Sequence, residues 1–213
     1  MKTKNPFIIA EIGAKYGSIS QIIKLIKDVK RIGADAVKFQ TYNAKYLSDK
    51  VSLLPLKGKK ITQHSFFLKN QLTHRDHKAI IAACKKEKLI WFSTPAHFTD
   101  VDYLEKFQPK IYKIGSDDLT NIPLIKYIAK KNKKIILSTG MSNFNEIKKA
   151  VKAIEDEGNK KINILHCVSD YPTKVKDVNL NVIKTLKKKF KYKIGLSDHT
   201  NNDLTSILAT TLG

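Results

Sequence analysis

Two lysines stand where lysine is least at home. Ala36-Val37-Lys38-Phe39-Gln40 and Ile111-Tyr112-Lys113-Ile114-Gly115-Ser116 are short, β-rich apolar runs, and each carries one ammonium group inside it. A lysine so placed can bind a phosphate or carboxylate, form a Schiff base with a carbonyl, or snorkel into solvent from a strand end. Hydroxyls close other apolar runs: Thr94 after Trp91-Phe92-Ser93, and Ser138-Thr139 after Ile135-Ile136-Leu137. Lys38 and Lys113 with Thr94, Ser116 and Ser138 would surround a small dianion with hydrogen-bond donors. The turns Lys113–Ser116 and Ser138–Met141 each contain a glycine, which lets backbone N–H groups approach a ligand.

Glu11 ends the run Phe7-Ile8-Ile9-Ala10. Burial there would raise its pKa and suit it to general acid–base work, and an ion pair with Lys38 on a neighbouring strand is compatible with that role. His166 and His199 end two further runs, as metal ligands, acid–base groups or hydrogen-bonded structural residues. His199 is the better placed, because Ser197-Asp198-His199-Thr200 sets four polar residues directly after an apolar strand. His64, His74, His77 and His97 read as loop or helix-surface residues without a role. Cys84 and Cys167 read as inert, with no Cys–His pair at a spacing that suggests a nucleophile.

The elements that must position these groups alternate along the chain. Strands are expected at Phe7–Gly13, Ala36–Gln40, Leu89–Thr94, Ile111–Ser116, Lys134–Gly140, Ile162–Val168 and Lys193–His199. Between them lie amphipathic helical patterns with start signals: Ser18 or Ser20 before Ile22, Ile23, Ile26, Val29 and Ile32; capping boxes at Thr73–Asp76 and Thr99–Asp102; Ser142 before Ile147–Ile154, with Gly158 as the stop. Residues 41–72 form an excursion between the second strand and its helix, and Tyr42, Tyr46, Phe66 and Phe67 predict that it is ordered.

Alternating β and α units mean an α/β fold with parallel strands. A doubly wound open sheet and a (β/α)8 TIM barrel both fit that order. Chemically useful residues at the end of every strand favour the barrel, whose strand ends all face one mouth. The seventh βα unit ends at Gly213, so residues 1–213 are expected to be one barrel domain truncated after that unit, lacking strand eight.

With 42% hydrophobic residues, 213 residues can bury one substantial core. Two cysteines are too few for a disulfide framework, and no stretch approaches a membrane span or a signal peptide, so a cytoplasmic protein is expected. The 40 Lys and Arg outnumber 19 Asp and Glu for a net charge of +21, but only Arg31 and Arg75 are arginines. Nucleic-acid readers lean on arginine for bidentate and stacking contacts. Solvated helix faces account for the lysines better than nucleic acid does.

Taken together, Ala10–Gly13, Gly33–Gln40, Phe92–Pro95, Lys113–Ser116, Leu137–Met141, Leu165-His166-Cys167, Tyr171-Pro172 and Gly195–Thr200 resemble the N-acetylneuraminate (sialic acid) synthase family, which includes legionaminic and pseudaminic acid synthases. The motifs come in that family's order along nearly the whole chain. The resemblance implies a barrel followed by a small antifreeze-like domain. It also implies a metal-dependent condensation of phosphoenolpyruvate with an N-acylated amino sugar such as N-acetylmannosamine, giving a nine-carbon 2-keto sugar acid and phosphate. Carried over residue by residue, Lys38, Thr94, Lys113, Ser116, Ser138 and Ser197 hold phosphoenolpyruvate. Glu11 is the acid–base carboxylate, His199 a ligand of Mn2+ or Mg2+, and Gln40, Asp118 and Tyr171 lie on the sugar side. A homodimer is implied for the full-length form.

Departures from the family pattern touch the substrate more than the reaction. Ala14-Lys15-Tyr16-Gly17 lacks an Asn-His pair, Ser169 stands where the family often has Asn, and Asp118 where Glu is common. The family's second metal histidine belongs to strand eight, so the 213-residue chain alone is expected to be weakly active or inactive. A Schiff-base barrel aldolase and a catalytically inactive member of the same family are the alternatives.

Overall fold

The computed structural model describes residues 5–15, 17–56 and 59–213; the departure at Tyr16 lies outside them. Two units, Phe7–Lys110 and Ile111–Gly213, are each built from parallel strands joined by helices.

In the first unit β1 (Ile9–Gly13) leads through α1 (Ile19–Arg31) to β2 (Ala36–Thr41). Ser18 caps α1 in a reciprocal capping box with Gln21. The helix buries Ile22, Ile26 and Val29, one stripe at helical spacing, and Gly33 takes the left-handed φ of +86° that turns the chain back. The excursion is ordered, as its aromatic residues predict. It comprises α2 (Ala44–Leu47), an antiparallel hairpin of β3 (Leu53–Leu56) and β4 (Lys59–Thr62), and α3 (Gln63–Asn70). Tyr42 meets Phe67 edge-on at 5.5 Å, and Phe67 meets Phe66 at 5.6 Å. Then follow α4 (His74–Lys86), β5 (Ile90–Pro95) and α5 (Phe98–Glu105). The strand order is β1-β2-β5, both pairings parallel. Val37 and Phe39 of β2 pack with Ile22, Ile26, Ile80 and Cys84 of the two flanking helices. Strand alternation therefore turns Lys38 and Gln40 to the opposite face.

The second unit runs β6 (Ile111–Ile114), α6 (Ile122–Ala129), β7 (Lys134–Ser138), α7 (Phe144–Asp156), β8 (Ile162–Cys167), α8 (Asn181–Lys189), β9 (Lys193–Ser197) and α9 (Leu204–Thr211). Its strands pair in chain order, all parallel. Tyr112, Ile114, Leu124, Ile128, Ile135, Leu137, Ile154, Ile164 and Leu186 are at most 2% exposed and form its interior. Among the described residues no helix is long and apolar enough to cross a membrane.

The seven main strands lie within two residues of the sequence expectation at either end. Two helix starts differ. Helix α5 is capped by His97, whose Nδ1 accepts from the Thr99 N–H, so Thr99 lies inside the helix. Helix α7 is capped by Asn143, which accepts from the N–H groups of Asn145 and Glu146 while Glu146 returns a bond. Ser142 sits one residue too early and donates to the Gly140 carbonyl.

Two of the dismissed histidines are therefore structural. His97 is that cap, and His77 is 4% exposed. Its Nδ1 lies 2.9 Å from the Thr73 carbonyl and donates to it, so Nε2 accepts from Thr41, which accepts in turn from Ser93. Burial holds the imidazole below its usual pKa.

Asp100, 5% exposed in α5, accepts from the Ala96 N–H at 3.3 Å. Burial pushes its carboxyl up to about 6, against the pull of N–H groups from Ala96, His97 and Asn43. With the folded pKa above the unfolded one, ionisation costs stability. That cost grows from about pH 4 to about pH 6 and is complete above it. Asp100→Asn is expected to raise the melting temperature at pH 7 by roughly 2–4 °C and to leave it unchanged at pH 4. Calorimetric melts at the two pH values test this, and equal shifts at both would contradict it.

Candidate functional site

In the first unit the parallel register of β1 and β2 sets Glu11 beside Lys38, and that of β2 and β5 sets Gln40 beside Thr94. Lys38 is 7% exposed. Its Nζ lies 2.6 Å from Oε2 of Glu11 and donates to Thr94 Oγ1 at 3.1 Å. Snorkelling is thus the wrong reading of Lys38, and the ion pair with Glu11 is present. The burial expected of Glu11 is not: its side chain is 52% exposed, because β1 has only β2 beside it within this unit. Gln40 is exposed as well.

In the second unit Lys113 is 8% exposed. Its Nζ donates to Ser138 Oγ at 2.5 Å and to the Ile114 carbonyl at 2.8 Å. Burial brings its pKa down to about 8, with the nearby thiol of Cys167 and carboxylate of Asp117 opposing. Ser116 Oγ accepts from the Gly140 N–H at 3.0 Å. Asp118 holds Asn121 at 3.2 Å, and burial raises its carboxyl above the usual range.

His199 follows β9. Its Nδ1 lies 2.7 Å from the Val168 carbonyl, so Nδ1 carries the proton and Nε2 keeps the lone pair. The Tyr171 ring, itself largely exposed, lies against the imidazole at 4.1 Å. Bonding to Cys167 holds the imidazole above its usual pKa, and burial works the other way. A lone-pair nitrogen with its other side anchored suits a metal ligand. Yet among the described residues no three or more His, Cys, Asp and Glu gather into a metal site. His199 is one donor, short of a coordination shell. His166 is 5% exposed and bonded to the Val178 carbonyl at 2.6 Å, which is its structural reading.

Cys84 is inert as expected, its thiol pushed up to about 12 by burial. Cys167 is not. Burial alone would raise its pKa, but bonds to His199, Ser116 and Ser197 bring the thiol below its ordinary value. The signal in the sequence was weak: Cys167 ends a strand directly after His166, but its partners come from cross-strand register. The first unit also holds a cavity of about 510 Å³ beside Thr41, Tyr103 and Lys106. Its one deeply buried carboxylate, Asp100, is already committed to backbone N–H groups.

A profile of the NeuB family matches residues 25–213. The chain belongs to the NeuB family. It is 40% identical over 218 residues to an N,N'-diacetyllegionaminic acid synthase of Campylobacter jejuni, covering 99% of this chain and 65% of that one. A pseudaminic acid synthase of the same species is 36% identical over 217 residues, covering 99% and 63%. The crystal structure of an N-acetylneuraminic acid synthetase from Leptospira borgpetersenii, in complex with citrate, matches with a TM-score of 0.85 at 30% identity, covering 96% of this chain and 69% of that chain. This NeuB chain thus spans a little under two thirds of the length of these two curated relatives.

An anion bound by Lys113 favours the protonated amine. With a free pKa of about 8, sulfate affinity is expected to fall about tenfold from pH 7 to pH 9, sulfate's own charge being constant. Lys113→Met should weaken binding and flatten the profile. Calorimetric titrations at both pH values test this; a flat profile for the unsubstituted chain would contradict it.

Proposed function

We propose that this NeuB chain carries the phosphoenolpyruvate-binding and acid–base machinery of a synthase. The synthase condenses phosphoenolpyruvate with an N-acylated amino sugar to a nine-carbon 2-keto sugar acid. The observation that supports this most is that both strand-embedded lysines are buried and each is bonded to a hydroxyl from the next strand: Lys38 to Thr94, Lys113 to Ser138. Such paired ammonium and hydroxyl donors suit a phosphate or carboxylate. In this reading Lys38, Thr94, Lys113, Ser116, Ser138 and Ser197 hold phosphoenolpyruvate, and Gln40, Asp118 and Tyr171 contact the sugar.

The new C–C bond joins C3 of phosphoenolpyruvate to the sugar's aldehyde carbon, whose oxygen takes a proton and becomes a hydroxyl; water adds at C2, and the C2–O bond breaks to release phosphate and leave the 2-keto group. Glu11, half exposed and paired with Lys38, takes the proton of the attacking water and gives one to the aldehyde oxygen. Lys38 and Lys113 stabilise the anion and the departing phosphate. A divalent ion, Mn2+ or Mg2+, would supply Lewis-acid polarisation of the aldehyde, and His199 is the one residue assigned to it. The reading places the enzyme in the cytoplasm, in keeping with its free thiols, and makes the full-length form a homodimer.

A Schiff-base aldolase is the second reading, favoured by the depressed pKa of Lys113. Phosphate release decides between them. The assay uses phosphoenolpyruvate with N-acetylmannosamine or a diacetamido sugar, with Mn2+ or EDTA. It is run on this chain and on the protein extended through any downstream reading frame. Sugar-dependent release, abolished by EDTA and lowered at least a hundredfold in Lys38→Met or Lys113→Met, is expected from the extended protein. Borohydride trapping of a substrate carbonyl on Lys113, without phosphate release, would overturn the synthase reading.

A further inference from the structure

Cys167 ends β8 and faces Ser197 of β9 in register. It is 7% exposed. Its Sγ lies 4.0 Å from Nδ1 of His199, and the neighbouring hydroxyls of Ser116 and Ser197 help to lower its pKa. Two distant parts of the sequence, Ser116 and the Ser197–His199 stretch, thus lie near one sulfur. Gly140 closes the arrangement from another side. Its N–H donates to Ser116 Oγ, and a Cβ there would lie 2.9 Å from that oxygen and 3.3 Å from Sγ, and closer still to Ser169 Oγ. Gly140 is not among the positive-φ glycines, so the position requires space and not an unusual backbone.

We infer that Cys167 is a positioning residue, which fixes the hydroxyls of Ser116 and Ser197 and the imidazole of His199 for the ligands they contact. The inference rests on the synthase reading above. A serine hydroxyl rotates freely until its neighbours choose a direction for it. The Gly140 N–H occupies one lone pair of Ser116, and the sulfur restricts what remains. A thiol suits this role because it is large, polarisable and only a weak donor or acceptor. It accepts the hydroxyl protons only weakly, so an arriving anion can take them over. Alanine leaves a gap; serine is smaller and competes for the same protons.

The test uses the 213-residue chain with Cys167→Ala, Cys167→Ser and Gly140→Ala. Two readouts are phosphoenolpyruvate binding by calorimetry and the imidazole 15N shifts of His199 by NMR. Cys167→Ala is expected to weaken phosphoenolpyruvate binding roughly three- to tenfold and to move the His199 shifts. Cys167→Ser should fall between it and the unsubstituted chain. Gly140→Ala, which crowds the same sulfur and hydroxyl from outside, should give the same loss, and it carries the test if Cys167→Ala does not fold. Unchanged affinity together with unchanged His199 shifts in the substituted chains would overturn the inference. Failure of the unsubstituted chain to bind phosphoenolpyruvate would overturn the synthase reading instead, and the His199 shifts would still decide whether the thiol positions the ring.

Discussion

An ammonium group buried within a parallel strand must find oxygen atoms, and much of this molecule's polar architecture answers that demand. Lys38 and Lys113 are both less than a tenth exposed. Stranding a charge there without partners would cost several kcal/mol. Each unit answers the same way, with a hydroxyl at the end of the strand next door. In the first unit Glu11 adds a full countercharge. In the second, Lys113 has a hydroxyl and a carbonyl but no ion pair among the described residues, and its pKa falls to about 8. The two lysines are therefore not equivalent. Lys38 sits in a neutralised pair with Glu11, whereas Lys113 is held by uncharged oxygens.

Parallel pairing is what makes such partnerships reproducible. Within a ladder the register fixes which residues lie side by side, and alternation fixes which face they share. Glu11 meets Lys38, Gln40 meets Thr94 and Cys167 meets Ser197 because their strands are in register. Val37 and Phe39 anchor one face of β2 against two helices, so Lys38 has only the other face to occupy. Slipping β2 by one residue would put the ammonium into the helix layer and Phe39 out of it. The apolar core thus specifies the placement of the charge.

Much of this was legible from residue types alone, since hydrophobic periodicity is a local signal. Strand and helix positions, the Ser18 and Thr73 caps and the ordered excursion all follow from neighbours within a few residues. The two misplaced helix caps, His97 for Thr99 and Asn143 for Ser142, are local slips of one or two residues; the failures among the polar groups share another cause, since each depended on a cross-strand partner. Glu11 ends an apolar run and reads as buried, but β1 stands at the edge of its unit. His77 reads as surface, yet Thr41 and Ser93, one on each of two strands, receive it. Cys167 reads as inert because its three partners are 30 or more residues away or on another strand. Burial of a polar residue is a property of the sheet and cannot be seen in the segment.

The large positive charge divides along the same line. Lysines on α1, α7 and α8 lie on solvated faces, where their fields are screened within about 8–10 Å at physiological salt. They raise the encounter rate of an anion but do not choose among anions. Lys38 and Lys113 are screened far less, because low-dielectric strands surround them. What is fixed around each ammonium group is different in kind: the Thr94 hydroxyl beside Lys38 in the first unit, and the Ser138 hydroxyl beside Lys113 in the second. A buried cation that is held rigidly can discriminate among anions, whereas the many exposed lysines of a chain with net charge +21 cannot. The hydrogen bonds at the ends of β5, β7 and β8 supply that rigidity.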